Sequence, residues 1–219
     1  MKKVAVITGD VIDSTKLAVA ERKKLDELLH LGLTEVAGEN NFEIFRGDSF
    51  QILLQEPETA LKKAIQIRCW LRKQQISSAK NNKTASSKRG IIDARLAIGI
   101  GSVSYQSKQI RTSDGEAFRL SGRALDDLKH RNSRIIIDTP SPELNDFLEV
   151  TFTLLDILIS NWSVQQSEVI YELLNNQTQT AIGNKLNISQ ASVNQRAKTA
   201  HWPAIEKTIA LFETKTAAL

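Results

Sequence analysis

Two aspartates at the ends of apolar runs constrain the folding of this chain more than any other feature. The segment Thr8–Thr15 reads TGDVIDST and directly follows a run of four apolar residues. A Gly-Asp pair that ends at Asp48 lies between Phe42–Phe45 and Phe50–Leu54, which is typical of a two-residue β-hairpin connection. If the order is strand, helix, strand, strand, the third strand lies antiparallel beside the first. The end of the first strand then meets the start of the third, so Asp10 meets Asp48.

These two aspartates predict a cation site. Two carboxylates at one edge of a sheet repel each other unless a cation lies between them, and hard oxygen ligands suit Mg²⁺ or Mn²⁺. We therefore predict that Asp10 and Asp48 bind Mg²⁺ or Mn²⁺. The alternative is a pair of unrelated turn aspartates, because Gly-Asp is also ordinary turn chemistry.

Composition excludes several classes of protein. The chain has 219 residues and 41% hydrophobic residues, which suits one large or two small globular domains. No apolar run approaches the roughly 20 residues that span a bilayer, and the first apolar run is too short for a signal peptide. Cys69 is the single cysteine, so an intrachain disulfide is impossible and a cysteine-based zinc site is unexpected. We expect a cytoplasmic protein without a membrane segment, whose net charge of +4 permits a polyanionic partner.

The N-terminal part alternates strands and helices. The order is β-α-β-β-α-β-α-β, which predicts an α+β fold with helices packed on a sheet. A Ser-, Asn- and Lys-rich stretch within it predicts a loop at Ser77–Gly90. The other predicted segments are helices over 20–37, from Pro57, and over 116–130, and strands over Ile91–Val103 and Arg134–Asp138.

From Pro140 onward the periodicity is mainly helical, although Val150–Thr153 is locally strand-like. We predict three units: a domain over 1–140, a connecting helix over 141–162 and a helical domain over 163–219. The last unit is predicted to contain the helices Val164–Leu174, Gln179–Leu186, Gln190–Ala200 and Ala204–Phe212.

The segment Gln179–Arg196 fits the helix-turn-helix pattern. Apolar residues form a shared core, Asn187 can end the first helix in the left-handed conformation, and Ser189 can cap the second. The second helix presents side chains that can read base edges or hold phosphates of duplex DNA: Gln190, Ser192, Asn194, Gln195, Arg196 and Lys198. The pattern resembles the tetrahelical helix-turn-helix of sigma-factor and response-regulator type domains. A protein-contact module is the alternative, because five Lys/Arg and four Asp/Glu give 163–219 a net charge of only +1.

The N-terminal motifs resemble those of class III nucleotidyl cyclases. In that family the first strand ends in a metal-binding Asp followed by a Ser-Thr phosphate loop, as in Gly9–Thr15, and a hairpin carries a second metal-binding Asp, as in Gly47-Asp48. Leu96–Val103 and Gly115–Leu125 are similar to the family's fourth strand and to its helix with a transition-state Asn and Arg. The whole chain is most similar to the SatD family, which joins such a domain to a C-terminal helix-turn-helix.

The resemblance implies a fold and a set of site residues. The fold is α+β, with a ferredoxin-like, class III cyclase-like sheet followed by an all-α helix-turn-helix domain. A homodimer is implied, because cyclase sites are shared between two chains. Two departures put cyclisation in doubt: Arg119 replaces the family's Asn, and Ile44 replaces its base-recognising Lys. The implied metal ligands are Asp10 and Asp48, and the implied nucleotide-binding residues are Val11, Ile12, Asp13, Ser14, Thr15, Gly47, Arg119 and Arg123.

Three functions are compatible with these features. The first is a nucleotide- and metal-responsive DNA-binding regulator with a degenerate cyclase-like domain. The second is an active nucleotide-processing enzyme, a nucleotidyl cyclase or a nucleoside triphosphate hydrolase, whose helix-turn-helix serves targeting or dimerisation. The third is a structural relic that binds no nucleotide. The retained Asp10–Asp48 pair disfavours the relic, and the changes at Ile44 and Arg119 disfavour a cyclase.

Overall fold

The computed structural model describes residues 3–74, 91–107, 109–131, 133–217 and 219. The loop predicted at Ser77–Gly90 lies outside these residues. Within the described residues the strands are β1 Lys3–Val11, β2 Phe42–Phe45, β3 Ser49–Leu54, β4 Ala94–Tyr105, β5 Asp114–Gly115 and β6 Ile135–Asp138. The helices are α1 Val19–Ala37, α2 Ala60–Arg72, α3 Glu116–His130, α4 Pro142–Ser160, α5 Val164–Leu174, α6 Gln179–Leu186, α7 Gln190–Thr199 and α8 Trp202–Ala217.

The strands of the described chain form a mixed sheet in the order β2-β3-β1-β4-β5, with β6 parallel to β4. β1 lies between β3 and β4 and is antiparallel to both, so the predicted neighbour of the first strand is confirmed. The hairpin differs from the prediction: Phe45 pairs with Ser49, so the connection has three residues, Arg46, Gly47 and Asp48. Arg46 and Gly47 both have positive φ, 59° and 77°, and this left-handed backbone is accessible to glycine at low cost.

Helices cover both faces of the sheet. α3 packs directly on β4, where a Cβ on Gly99 would lie 2.2 Å from the Ala117 carbonyl oxygen. Glycine is therefore required for the close approach of this helix. A buried hydrogen bond of 2.9 Å between the hydroxyls of Thr8 and Ser121 fixes α3 against β1.

The main hydrophobic core lies on the other face of the sheet and continues into the C-terminal helices. It contains Ile7 from β1, Leu61 from α2, Phe152 from α4, Ile170 from α5 and Phe212 from α8, all at most 2% exposed. Burial of such side chains is the main favourable term in folding. The C-terminal helices thus pack on the sheet and its helices through one continuous core.

Some predicted boundaries shift. The strand predicted from Ile91 begins at Ala94, because Asp93 turns into a buried ionic network described below. The strand-like Val150–Thr153 lies within α4, where the helical period of the buried Leu148, Phe152 and Leu155 prevails. Among the described residues, no helix is long and apolar enough to cross a bilayer.

Candidate functional site

The candidate site lies where β1 ends between β3 and β4. Asp10 pairs across the sheet with Ser49 of β3 and with Arg95 of β4. The amide of Val11 donates to the Asp48 carbonyl oxygen at 2.9 Å. The topology thus brings the two aspartates that the sequence singled out to the same edge of the sheet.

Asp10 is held by an arginine that the sequence reasoning did not select. Nε and Nη2 of Arg95 donate to Oδ1 and Oδ2 of Asp10, both at 2.9 Å. The Asp10 side chain is 14% exposed and that of Arg95 is 28% exposed. This two-point geometry is the strongest form of an arginine–carboxylate pair, and it neutralises the charge of Asp10 within the chain.

Asp48 is held by hydroxyl groups. Its Oδ2 accepts a hydrogen bond from the Ser14 hydroxyl at 2.5 Å, and its Oδ1 accepts one from Ser49 at 3.4 Å. Ser14 is buried, in a single 3₁₀ turn over Ser14–Lys16. The Asp48 side chain therefore fixes the predicted phosphate loop against the hairpin.

The residues at this edge do not fit the predicted Mg²⁺ or Mn²⁺ ion in the arrangement observed. Both carboxylate oxygens of Asp10 accept hydrogen bonds from Arg95, and a divalent cation there would lie against a permanent positive charge. The described part of the chain contains no group of three or more His, Cys, Asp or Glu side chains that could hold a metal ion.

The loop that follows β1 is anchored by its own first amides. The amide of Ile12 donates to the Asp93 carbonyl oxygen at 2.9 Å, as the amide of Val11 does to Asp48. Asp13 adopts the left-handed conformation with φ 60°, and its exposed carboxylate pairs with Lys16. The predicted phosphate cradle thus has two of its five amides engaged within the chain.

A cleft of about 310 Å³ opens beside this loop. Its lining carries three cationic side chains, Arg22, Lys23 and Arg46, and two carboxylates, Asp26 and Asp48. The remaining lining residues are Ser14, Thr15, Leu25 and Gly47. Arg22 also organises the loop through hydrogen bonds to the carbonyl oxygens of Thr15, at 2.5 Å, and Leu17, at 3.1 Å. The cleft combines hydroxyls with an excess of cations, which is suited to an anionic ligand.

The two arginines of α3 lie apart from this edge within one chain. The exposed Arg119 pairs with Asp114 at 3.0 Å. Arg123 is exposed and lies near Asp138, whose pKa is raised by burial and lowered in part by this arginine. The structure therefore does not bring Arg119 and Arg123 together with Asp10 and Asp48 in a single copy.

A buried ionic network lies directly beneath the loop. Arg68 of α2, fully buried, donates to both oxygens of Asp93 at 2.9 and 2.8 Å and to Asp156 of α4 at 2.6 Å. Arg72 and Arg134 donate to the same Asp93 oxygen at 2.7 and 2.8 Å. Burial alone would raise the pKa of Asp93, but the three guanidinium groups hold it well below its usual range. The network joins the sheet to α4.

Sequence reasoning missed this network, although a signal was present. Leu61, Ile65, Arg68 and Arg72 recur at helical spacing, so the two arginines share the buried face of α2. A charged residue on an apolar face needs an ionic partner. The identity of that partner, Asp93, depends on the tertiary structure.

The C-terminal helices α6 and α7 are joined by a short turn. Asn187 is left-handed, with φ 53° and ψ 47°, and the Ser189 hydroxyl accepts a hydrogen bond from the Ser192 amide at 3.1 Å. A Cβ on Gly183 would lie 2.8 Å from the Ile188 carbonyl oxygen, so glycine permits the tight turn. A small apolar cluster that includes Ile182 and Val193 joins these helices.

The predicted DNA-contacting residues of α7 divide into two sets. Gln190, Asn194, Gln195 and Lys198 are exposed. Ser192 is engaged in the helix cap, and Arg196 is 28% exposed and lies 3.9 Å from Glu168 of α5. The surface that α7 offers is therefore mostly uncharged, with Lys198 as its most exposed cation among the predicted residues.

Comparisons with known proteins give partial structural likenesses. No protein-family model and no curated protein matches the chain. The chain is similar to an active GGEEF domain of a diguanylate cyclase from Vibrio cholerae, with 18% identity and a TM-score of 0.44, over 64% of this chain and 84% of that one. It is also similar to a bacterial light-regulated adenylyl cyclase, with 13% identity and a TM-score of 0.43, over 62% and 74% of the two chains. Adenylate cyclases from Trypanosoma brucei give 14% identity and a TM-score of 0.37, over 57% and 69%.

Proposed function

We propose that this chain is a nucleotide-responsive DNA-binding regulator. One observation carries the proposal: a continuous line of hydrogen bonds links the loop after β1 to the end of α7. Asp93 accepts from Ile12 through its carbonyl oxygen and from Arg72 through its carboxylate. Arg72 then donates to the Trp162 carbonyl oxygen at 2.6 Å, and the Trp162 indole donates to the carbonyl oxygen of Ala200, the residue that follows α7, at 3.0 Å.

The proposed ligand is a nucleotide whose phosphates bind in the cleft beside the loop. The amides of Ser14 and Thr15 supply donors, and the side chains of Arg22, Lys23 and Arg46 supply positive charge. Ile44 provides no polar group for a purine, which favours recognition of phosphates over recognition of the base.

A nucleotide that changes the conformation of the loop would act on α7 through the hydrogen bonds that run from Asp93 to Ala200. Such coupling requires two arrangements of these groups, and both the nucleotide and the DNA must favour one arrangement over the other. Arg72 is the connecting residue whose removal breaks the line between Asp93 and Trp162. We expect nucleotide to change the DNA affinity of the wild-type protein, and Arg72→Gln to weaken that effect more than it weakens nucleotide binding.

The proposed DNA surface is the exposed side of α7, through Gln190, Asn194, Gln195 and Lys198. Amide side chains can pair with adenine at two points, each such contact being worth roughly 1–3 kcal/mol. Because the C-terminal part carries little net charge, few phosphate contacts are available, and we expect a shallow dependence of binding on salt.

We also propose that the protein is a homodimer that pairs through α4. One face of this helix exposes Phe147, Val150, Leu154 and Ile157 by 48%, 63%, 59% and 55%. Their spacing of three, four and three residues is that of a helical seam. The four side chains offer on the order of 400 Å² per copy, about half of the ~800 Å² that each partner buries in a standard interface.

A second copy is the occupant that suits this face, because a two-fold axis allows the same stripe to serve both partners. Leu154→Glu should convert the dimer to a monomer, as measured by light scattering at micromolar concentration. The control is Leu31→Glu on α1, which alters an exposed leucine of similar exposure, 58%, away from α4. A wild-type monomer, or a Leu154→Glu dimer, would contradict this assignment.

The central experiment combines ligand and DNA binding. A thermal-shift screen of nucleotides identifies a ligand, since binding to the native state raises the melting temperature by mass action. A genomic-fragment pull-down and footprinting, with and without that ligand, then test the DNA site. Asn194→Ala with Gln195→Ala should abolish sequence-specific enrichment, whereas Gln177→Ala, an exposed glutamine before α6, should leave it unchanged.

Two results would overturn the proposal. Turnover of a nucleoside triphosphate by the purified protein, without DNA enrichment, would favour the nucleotide-processing enzyme. Absence of any enriched sequence, with a normal nucleotide response, would make α6 and α7 a protein-contact module.

A further inference from the structure

At the Asp10–Asp48 edge, an arginine of the chain itself balances the charge of Asp10, and two hydroxyl groups hold Asp48. Arg95 lies opposite Asp10 in the β1–β4 pairing and contacts both of its carboxylate oxygens. An arginine side chain is protonated at every physiological pH, so this positive charge is permanent. The other carboxylate, on Asp48, accepts from the hydroxyls of Ser14 and Ser49.

Arg95 is held in place by the strand on both sides of the ion pair. Ala94, the preceding residue, pairs with Val11, and Leu96, the following residue, pairs with Gly9. The pair therefore lies between two backbone anchors on a short stretch of β1 and β4. The sheet register therefore places Arg95 directly opposite Asp10.

We propose that Arg95 is the resident cation of this edge, taking the position a divalent ion would need, and that the protein accepts a phosphate group here without a metal. The bonds to Asp10 use Nε and Nη2 of Arg95, which leaves Nη1 to face a ligand. Arg22, Lys23 and Arg46 of the adjacent cleft supply the remaining positive charge. The part that concerns phosphate rests on the proposed function; the part that concerns Arg95 does not.

The first test uses Mn²⁺ alone with the full-length protein, followed by calorimetry and by the spin-resonance signal of free Mn²⁺. The wild-type protein should show no saturable site that depends on Asp10. Arg95→Gln frees Asp10 and should create one site, which the double variant Arg95→Gln with Asp10→Asn should lose. The matched control, Arg119→Gln, removes an arginine from an exposed ion pair with Asp114 and should create none.

Two outcomes would overturn the role of Arg95. One is stoichiometric Mn²⁺ binding by the wild type that Asp10→Asn abolishes, a comparison that does not require Arg95→Gln to fold. The other is a folded Arg95→Gln protein that binds Mn²⁺ no better than the wild type.

The second test compares binding of ATP, GTP and inorganic triphosphate in excess EDTA and in Mg²⁺. For the wild type, we expect the affinities in EDTA and in Mg²⁺ to agree within about twofold. For Arg95→Gln, we expect the affinity in EDTA to be about tenfold or more below that of the wild type. A loss of about tenfold for the wild type when Mg²⁺ is removed would overturn metal-independent binding. If no phosphate compound binds under either condition, the proposed function fails, while the Mn²⁺ titration still decides the role of Arg95.

Discussion

Asp93 and Arg95 flank Ala94 at the start of β4, yet they form opposite kinds of ion pair. Asp93 is 4% exposed and shared by three arginines in the interior, whereas Arg95 is 28% exposed and pairs with Asp10 at the rim of the sheet. Removing one charge of the interior network should lower the free energy of unfolding strongly, because the partner charge that remains is buried. The rim pair is accessible to solvent and to ligands. The comparison separates a structural role for Asp93 from the ligand-binding role that we propose for Arg95.

The largest expected effect comes from removing the charge at the centre of the interior network. Asp93→Asn should destabilise the protein by about 3–5 kcal/mol, because Arg68 stays fully buried with one partner fewer. Denaturant unfolding measures this. The control, Asp13→Asn at an exposed pair with Lys16, should change stability by no more than about 0.5 kcal/mol. If Asp93→Asn lowered stability by less than about 1 kcal/mol, Asp93 would not have the structural role assigned to it.

The interior network should also dominate the acid sensitivity of the protein. The pKa of Asp93 is lower in the folded than in the unfolded protein, so its contribution is fully present above the unfolded value, about 3.9, and is lost as the pH falls below it. Stability measured from pH 6 to pH 3 should fall less steeply for Asp93→Asn than for the wild type. Equal slopes for the two proteins would assign the acid sensitivity to other carboxyl groups.

A smaller effect is expected at the outer arginine of the network. Arg134 is 39% exposed and donates to Asp93, which keeps Arg68 and Arg72 as buried partners when Arg134 is removed. Arg134→Gln should therefore cost about 1 kcal/mol. Arg131→Gln, at an exposed pair with Glu149, is the matched control and should cost less. If Arg134→Gln lowered stability as much as Asp93→Asn does, the network would require all three arginines to stabilise the fold.

The smallest effect on stability is expected at the rim. Asp10→Asn should cost no more than about 1 kcal/mol, because Arg95 can be solvated after the pair is lost. The same substitution should nevertheless alter the binding of phosphate compounds, since the orientation of Arg95 changes. If Asp10→Asn destabilised the protein as much as Asp93→Asn, the rim pair would be structural and the distinction between the two sites would fail.

Much of the fold could be predicted from local patterns. The helix over 116–130 has the predicted bounds, because its apolar residues keep a helical period from Ala117 to Leu128. The turn at Asn187 and the cap at Ser189 also follow from residue type. Strand neighbours followed from the order of elements, since a short hairpin forces antiparallel pairing.

The placement of the two aspartates was predicted, but their hydrogen-bond partners were not. The sequence alone determined that Asp10 and Asp48 lie at one edge of a sheet, since the strand order and the hairpin fix this. It also determined that the chain after Pro140 is mainly helical. It predicted Mg²⁺ or Mn²⁺ between the two aspartates and did not identify Arg95, because Arg95 becomes the partner of Asp10 only through the register of β1 against β4. Only the tertiary structure decided that Arg68 of α2, Asp93 before β4 and Asp156 of α4 converge in the interior. Ion pairs between residues 25 and 88 positions apart depend on packing, and no local period of the sequence records them.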